Sequence, residues 1–476
     1  MWHLSTSILS HALKLNLDAL SDGGCDIDTF TLTLLEKLVL KIQDVVTESC
    51  TVPFEGQVSE RDKIMKCFYL DPELLRCRFC SESFYDHDEA AEHMNTHVKD
   101  NKELIEIEPC YLRRTCIPKW GGPRLPKKMI KLLGKDTDEM MVQIGYESTY
   151  LQTDTDNVKV LQRLEGTLKK NFPQVKCYAF GSRIAGTGSF DSDLDVFVDL
   201  EAVYGGRKYR KDIEDIVGSI EKVYTALQKM PDWEVKDMVI QARVPLLRVL
   251  HSNYDIKCDL TFSNGLAHRN SLLLQYMYSL QPTCRLLVCY IKAWNCDNTL
   301  NSYTISLMVI FFYQCYGWLP SVAALQEDES NDVIIDDWNA GFATPTLTEL
   351  DLKPCDKAVP SLASLFFHFY RLAPNLFSLE SEVVSPFLGR RVTKRTFEPS
   401  NLPRFDKNLP EMERLKCHML KHQDDSNPKQ KFAYNRPFVV QDPFELCHNV
   451  AKGIPVEAAS RILRYFEVSY ESLITK

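Results

Sequence analysis

Residues 179–200 read AFGSRIAGTGSFDSDLDVFVDL, a Gly- and Ser-rich turn running straight into a strand that carries several carboxylates. Side chains on a strand alternate between faces. From Asp193, one face carries Asp193, Asp195, Phe197 and Asp199, and the other Leu194, Val196, Val198 and Leu200. The second face belongs to a core, and the first leaves carboxylates exposed near the strand start. The segment DIKCDLTF, residues 255–262, repeats the pattern. Ile256, Cys258, Leu260 and Phe262 form its apolar face, and Asp255, Lys257, Asp259 and Thr261 its polar one. If the two strands are neighbours in one sheet, Asp259 joins Asp193 and Asp195 over a single patch.

Three converging carboxylates repel one another unless a cation neutralises them. Oxygen ligands with open positions suit Mg²⁺ or Mn²⁺, and two such ions stabilise the attacking and leaving oxygens of an in-line phosphoryl displacement. The Gly181–Ser182 turn offers backbone N–H groups and a hydroxyl to a triphosphate. It lacks the Gly-Lys-Ser/Thr ending of a P-loop. For an isolated Asp-x-Asp, turn formation and solvated edge charge are the better explanation. The Gly-Ser turn and the second aspartate strand together reverse that preference. Asp191 reads as a turn residue, and Asp199 lies too far along the strand to be a first choice.

The chain has 476 residues, 45% of them apolar and 25% charged, which fits a globular protein of one to three domains. No apolar run is long enough to span a bilayer, and SLMVIFFYQCYGWL (306–319) reads as a buried helix. The N-terminus lacks a secretory pattern, and 16 scattered cysteines then point to reduced thiols or metal ligands. A net charge of −9 gives no global sign of nucleic-acid binding, so any such claim rests on local patches. Two stand out: residues 113–135, with eight Lys/Arg and no Asp/Glu, and GRRVTKR at 389–395. Each is a solvated charge run or a phosphate-facing segment.

The spacing Cys77-x2-Cys80-x12-His93-x3-His97 matches a Cys2His2 site for a structural Zn²⁺. Its acidic helix opposes contact with DNA phosphates, which leaves RNA shape or a protein as its target. The order along the chain is then an N-terminal helical segment (1–65), the zinc finger (70–100) and a basic linker (101–135). A small sheet domain with a preceding helix (136–265) and a larger helical domain (266–476) follow. The fold class is α+β.

In the helical half, the residue patterns alone support modest roles. Asn270 and Ser271 near a helix start are capping residues, Lys292 is a snorkelling lysine, Ser302 a cap and Tyr303 a packing residue. Asp442, Glu445, His448 and Asn449 fall at helical spacing after Pro443 and read as one face of a capped helix.

The run Gly181-Ser182, Gly186 and Ser192-Asp193-Leu194-Asp195 resembles the DNA polymerase β-like nucleotidyltransferase superfamily. Within it, the chain is similar to the noncanonical poly(A) polymerases and terminal uridylyltransferases over about residues 120–470, the insect Tailor-type enzymes being the suggested subgroup. The resemblance implies a nucleotidyltransferase palm followed by a helical poly(A)-polymerase-associated domain. It implies that Asp193, Asp195 and Asp259 hold Mg²⁺ or Mn²⁺, with Asp259 also helping to activate the attacking hydroxyl. Gly181, Ser182, Lys292 and Ser302 would hold the triphosphate. Asn270 would contact sugar and base, with Ser271 in the family's threonine position, and Tyr303 would stack on the base. Asp442 and Glu445 match base-reading positions. His448 matches the position where histidine goes with preference for uracil over adenine, by conflict with the larger purine.

The resemblance thus implies a monomeric cytoplasmic enzyme, a nuclear location remaining open, that adds UMP from UTP to an RNA 3′ end. The tail would mark RNA for decay by a partner such as a 3′–5′ exonuclease. Two alternatives stay open: an ATP-using poly(A) polymerase of the same family, and a non-catalytic RNA-binding adaptor.

Overall fold

The structure is a computed structural model that describes residues 125–476 apart from short stretches (135–136, 203, 205–211, 242–243, 297–298, 374–375, 406–408, 426–429 and 475–476). It also describes the backbone of three short strands nearer the N-terminus. The chain divides into two compact units, Met1–Arg124 and Leu125–Lys476. In the first, β1 (Phe68–Leu70), β2 (Leu75–Cys77) and β3 (Ser83–Phe84) form an antiparallel sheet in that order. Cys77 closes β2, while Cys80, His93, His97 and the expected helix within 1–65 lie outside the described residues.

The second unit begins with α1 (Lys127–Leu132), α2 (Thr137–Thr153) and α3 (Thr155–Leu168). α1 lies in the stretch read as a basic linker, yet Met129 and Leu132 are buried in the helical core. Its lysines occupy the outer face of a helix that packs through its apolar residues. α3 starts where the Asp154 carboxylate accepts from the Asp156 N–H (2.9 Å), an N-cap. Its Val160, Leu164 and Leu168 recur every fourth residue and are buried.

The sheet that follows comprises β4 (Lys176–Phe180), β5 (Leu194–Asp199), β6 (Trp233–Val239), β7 (Leu246–His251) and β8 (Ile256–Thr261). A short helix, α4 (Gly181–Ala185), separates β4 from β5, and α5 (Ile213–Leu227) separates β5 from β6. The strand order is β4-β5-β8-β7-β6, with β5 and β8 parallel and every other pair antiparallel. Leu194, Val196 and Val198 of β5 meet Cys258 and Leu260 of β8 in a core shared with α3 and α5. The expected apolar faces of the two aspartate strands are therefore the faces that pack.

The remainder is mainly helical: α6 (Leu266–Leu280), α7 (Pro282–Trp294), α8 (Ser302–Cys315), α9 (Val322–Leu325), α10 (Val359–Tyr370), α11 (Glu413–Lys421) and α12 (Val456–Ile474). α8 is buried from Thr304 to Gln314. It is the expected interior helix, and no described helix is long and apolar enough to cross a membrane. Trp294 joins α7 to α12 through an Nε1–H bond to Ser469 (2.8 Å) and a stack on Phe466. The architecture is thus α+β, a small mixed sheet with helices and a larger helical half.

Candidate active site

β5 and β8 run parallel with Asp195 directly opposite Asp259. The condition on which the carboxylate patch depended is met in the sheet. Asp193 precedes β5 by one residue, and its charge reaches both other aspartates. The patch is less open than the strand pattern implies. Phe197 and Asp199 on the same face are fully buried and Asp195 is partly buried. Tyr178, Tyr204 and His268 pack over that face at Phe197, a layer the strand pattern does not encode, while Asp193 and Asp195 at the strand start stay partly exposed. The Asp199 carboxylate accepts from the Tyr204 N–H at 2.6 Å.

Burial, then the charges of Asp259 and Asp193, push the Asp195 carboxyl up to about 7, with Lys292 opposing. Burial also raises Asp259, against the pull of Arg248. Arg248 stands opposite Asp259 on β7, with Nε 3.4 Å from a carboxylate oxygen. Sequence reasoning missed it, although Arg248 sits between buried Leu247 and Val249 and must share a face with its cross-strand partner. Among the described residues no group of three or more His, Cys, Asp or Glu side chains is drawn together tightly enough to hold a metal ion.

The Gly-Ser turn is the short helix α4, and tertiary bonds hold it on every side. Gly181 has φ +83°, and a Cβ there would lie 1.9 Å from Asp195 Oδ2. Only glycine lets the backbone approach that carboxylate so closely. The Gly181 N–H donates to Ser271 Oγ (2.9 Å), so in this structure that group of the turn has a partner within the protein. Ser271 therefore supports the turn. Gln152 and Gln275 donate to the Ile184 carbonyl, and Arg285 to the Gly186 carbonyl. Lys292 Nζ lies 2.5 Å from the Thr187 carbonyl, and burial lowers its pKa.

Arg183, also missed from sequence, is buried beneath the turn. It donates to Asn157 Oδ1 (2.6 Å), the Ser192 carbonyl (3.1 Å) and Asp154 Oδ2 (3.4 Å). One guanidinium thus joins the α3 cap to the residue before Asp193.

A second cluster forms in the helical half. Asp442 is buried, and its Oδ2 accepts from Asn270 Nδ2 (3.1 Å) and the Tyr303 hydroxyl (3.0 Å). Its Oδ1 accepts from the N–H groups of Phe444 and Glu445, each at 2.9 Å. Burial and then Glu445 raise Asp442 to about 6, while these donors oppose the rise. Asn270 Oδ1 is buried without a partner among the described residues, an acceptor left for something else.

Residues 442–449 are not the expected helix. The two bonds to Asp442 Oδ1 make an Asx-type turn, and an isolated bridge between Gln441 and Asn449 closes the loop. Asn449 is buried, accepts from the Val440 and Ala451 N–H groups and donates to the Ala433 and Phe438 carbonyls. Helical spacing was misleading because the polar side chains satisfy the loop's own backbone. His448 is buried, and its carbonyl accepts from the Asp442 N–H (2.9 Å). The capping readings also fail: Gly265 occupies the α6 cap position and Asn301 caps α8, leaving Ser302 exposed at the first helical position.

Residues 138–279 match the family described as "Poly(A) RNA polymerase, mitochondrial-like, central palm domain". Over these residues the chain is similar to the palm domain of noncanonical poly(A) polymerases and terminal uridylyltransferases. Human terminal uridylyltransferase 7 is 23% identical over 393 residues, covering 79% of this chain and 22% of that protein. The Danio rerio speckle targeted PIP5K1A-regulated poly(A) polymerase is 28% identical over 359 residues, covering 66% of this chain and 42% of its own. The chain thus spans less than half the length of these relatives. A crystal structure of mtPAP in complex with UTP has the same fold, with TM-score 0.55 and 18% identity over 83% of this chain and 84% of that one. The palm match covers Asp193, Asp195, Asp259 and Asn270. Arg390 and Arg391 of the basic run are bound to Glu411 and Glu382, and Lys394 donates to the Arg436 and Pro437 carbonyls.

Proposed function

We propose that the chain is a template-independent RNA 3′-terminal uridylyltransferase. The reading is carried by one observation: Asp442 gathers Asn270 and Tyr303 by hydrogen bonds, within the same loop that carries Glu445 and His448. Residues matched to base recognition from three separate segments thereby meet, and Asn270 keeps an unused acceptor. His448 supports UTP over ATP, since an imidazole in such a pocket leaves less room for a purine. The likeness to both uridylyltransferases and poly(A) polymerases makes ATP the alternative.

Asp193, Asp195 and Asp259 fit Mg²⁺ or Mn²⁺ by their chemistry. All are oxygen donors, and burial, then the charges of Asp259 and Asp193, raise the Asp195 carboxyl to about 7, a cost that a nearby cation would relieve. A divalent cation there supplies stabilisation of charge on the attacking and leaving oxygens of an in-line displacement. Asp259, steadied by Arg248, takes the proton of the RNA 3′-hydroxyl as it attacks the α-phosphate. Ser182, Ser302 and Lys292 bind the triphosphate, Lys292 trading its bond to the Thr187 carbonyl for a phosphate. Gly181 and Ser271 shape the turn, and Tyr303 lies against the base. Pyrophosphate leaves, and the uridine added would mark the RNA for exonucleolytic decay.

The test is extension of a labelled oligonucleotide with each nucleoside triphosphate in turn, with Mg²⁺ or Mn²⁺. UTP is expected to give the highest kcat/KM, and Asp193→Ala to abolish extension while leaving the melting curve unchanged. Extension with ATP as good as or better than with UTP overturns the uridylyl reading. No extension with any nucleotide overturns nucleotidyl transfer itself.

A further inference from the structure

A transferase of this kind must hold an RNA strand, and the basic run at 389–395 is largely committed to internal bonds. A different surface stands beside the aspartates. On α2, Tyr146 and Tyr150 are four residues apart and point outward, 69% and 52% exposed. Their rings are near parallel (25°) with centroids 6.5 Å apart. Phe190, 62% exposed, continues the row with its ring 6.3 Å from that of Tyr150. Three adjacent aromatic side chains thus face solvent, although burying each would be favourable. Such a row marks an interaction site.

We infer that Tyr146, Tyr150 and Phe190 form a stacking ridge for the single-stranded RNA whose 3′ end lies at the aspartates. The inference rests on the nucleotidyl-transfer reading above. Three observations tie the ridge to the aspartates, where the RNA 3′ end must lie, and that position favours RNA as its occupant. Phe190 lies three residues before Asp193, so the chain holds the Phe190 end of the ridge within about 11 Å of Asp193, Cα to Cα. The Glu147 carboxylate accepts from the Phe190 N–H, tying α2 to the turn that leads into the aspartates. Arg285 fixes the same helix to the triphosphate turn, donating to Ser148 Oγ (2.9 Å), Thr149 Oγ1 (3.1 Å) and the Gly186 carbonyl (3.0 Å). The ridge is therefore held rigidly to the reaction site. Aromatic faces accept any base, which suits an enzyme that reads no template.

The test uses the full chain and a short single-stranded oligoadenylate. In a Tyr150→Ala/Phe190→Ala double variant, KM for the RNA is expected to rise about tenfold or more, the size of losing base–aromatic stacking. The kcat, the KM for the nucleoside triphosphate and the melting temperature should stay at wild-type values. Tyr150→Trp should keep the wild-type RNA KM, and the added indole fluorescence should be quenched by oligoadenylate without nucleotide present. An unchanged RNA KM in the double variant, or an indole that RNA does not quench, overturns the ridge. If the wild-type protein extends no RNA with any nucleotide, the nucleotidyl-transfer reading fails, and the quenching measurement alone decides the ridge.

Discussion

At the scale of single residues, close approach and burial set the chemistry. Gly181 adopts φ +83° under the Asp195 carboxylate. A methyl group there both strains the backbone, by about 1–3 kcal/mol, and pushes the carboxylate aside. A displacement of about 1 Å at a reacting group costs about 100-fold in rate. Gly181→Ala is therefore expected to lower kcat by about that factor in the extension assay; wild-type turnover would remove Asp195 from the reaction. His268 gives a pH prediction. Burial, then Arg269, lowers its pKa from 6.5 to about 4, so the folded protein holds it neutral. The unfolded chain binds the extra proton below pH 6.5, and stability rises with pH wherever the unfolded state binds more protons. The His268 contribution is thus full above pH 6.5 and is lost as pH falls from 6.5 towards 4. Melting temperatures across that window should fall less steeply for His268→Gln than for wild type. Taking the difference between the two proteins cancels the raised carboxylates Asp195 and Asp442, which act in the opposite direction.

At the scale of elements, one register and one cap organise the site. A one-residue slip between β5 and β8 would turn Asp195 towards the core and Val196 towards the site. The buried row of Leu194, Val196 and Val198 against Cys258 and Leu260 prevents it. The α3 cap does a second job, since Asp154 also meets the buried Arg183 at 3.4 Å. Asp154→Ala loses the cap and leaves the guanidinium short of its carboxylate, for an expected cost of about 3 kcal/mol. Asp156→Ala, which removes an exposed ion pair with Lys159, should change stability by less than about 1 kcal/mol. Urea unfolding of the two variants measures the contrast, and equal effects would deny Asp154 its second role.

At the scale of the whole molecule, two cores lie within one compact unit. One joins the sheet to α3 and α5, and the other joins α1, α2 and the helices from α6 onward. The site lies where they meet, because Ser271, Gln275, Arg285 and Lys292 reach from α6 and α7 to bond the α4 turn and the residues after it. The unit from Leu125 onward has its own cores and meets the requirements of an independently folding domain. A fragment of residues 125–476 is expected to melt cooperatively by circular dichroism and to extend RNA. A fragment without a thermal transition would mean that residues before 125 are needed for the fold.

Local periodicity in the sequence determined the faces of the two aspartate strands and a buried helix read at 306–319, which spans Ser302–Cys315, while the pairing of the two strands was settled only by the sheet. The faces and the helix follow from alternation and from short spacings, which any segment carries by itself. Arg183 and Arg248 escaped notice because their partners, Asn157 and Asp259, are contacts made by folding. The 442–449 loop escaped for a related reason: its polar side chains serve backbone groups, so their spacing mimicked a helix face. The sequence alone marked out the carboxylates of the first cluster. Only the tertiary structure decided that Asp195 lies against Gly181 and that Asp442 gathers Asn270 and Tyr303, because burial and long-range hydrogen bonds belong to no single segment.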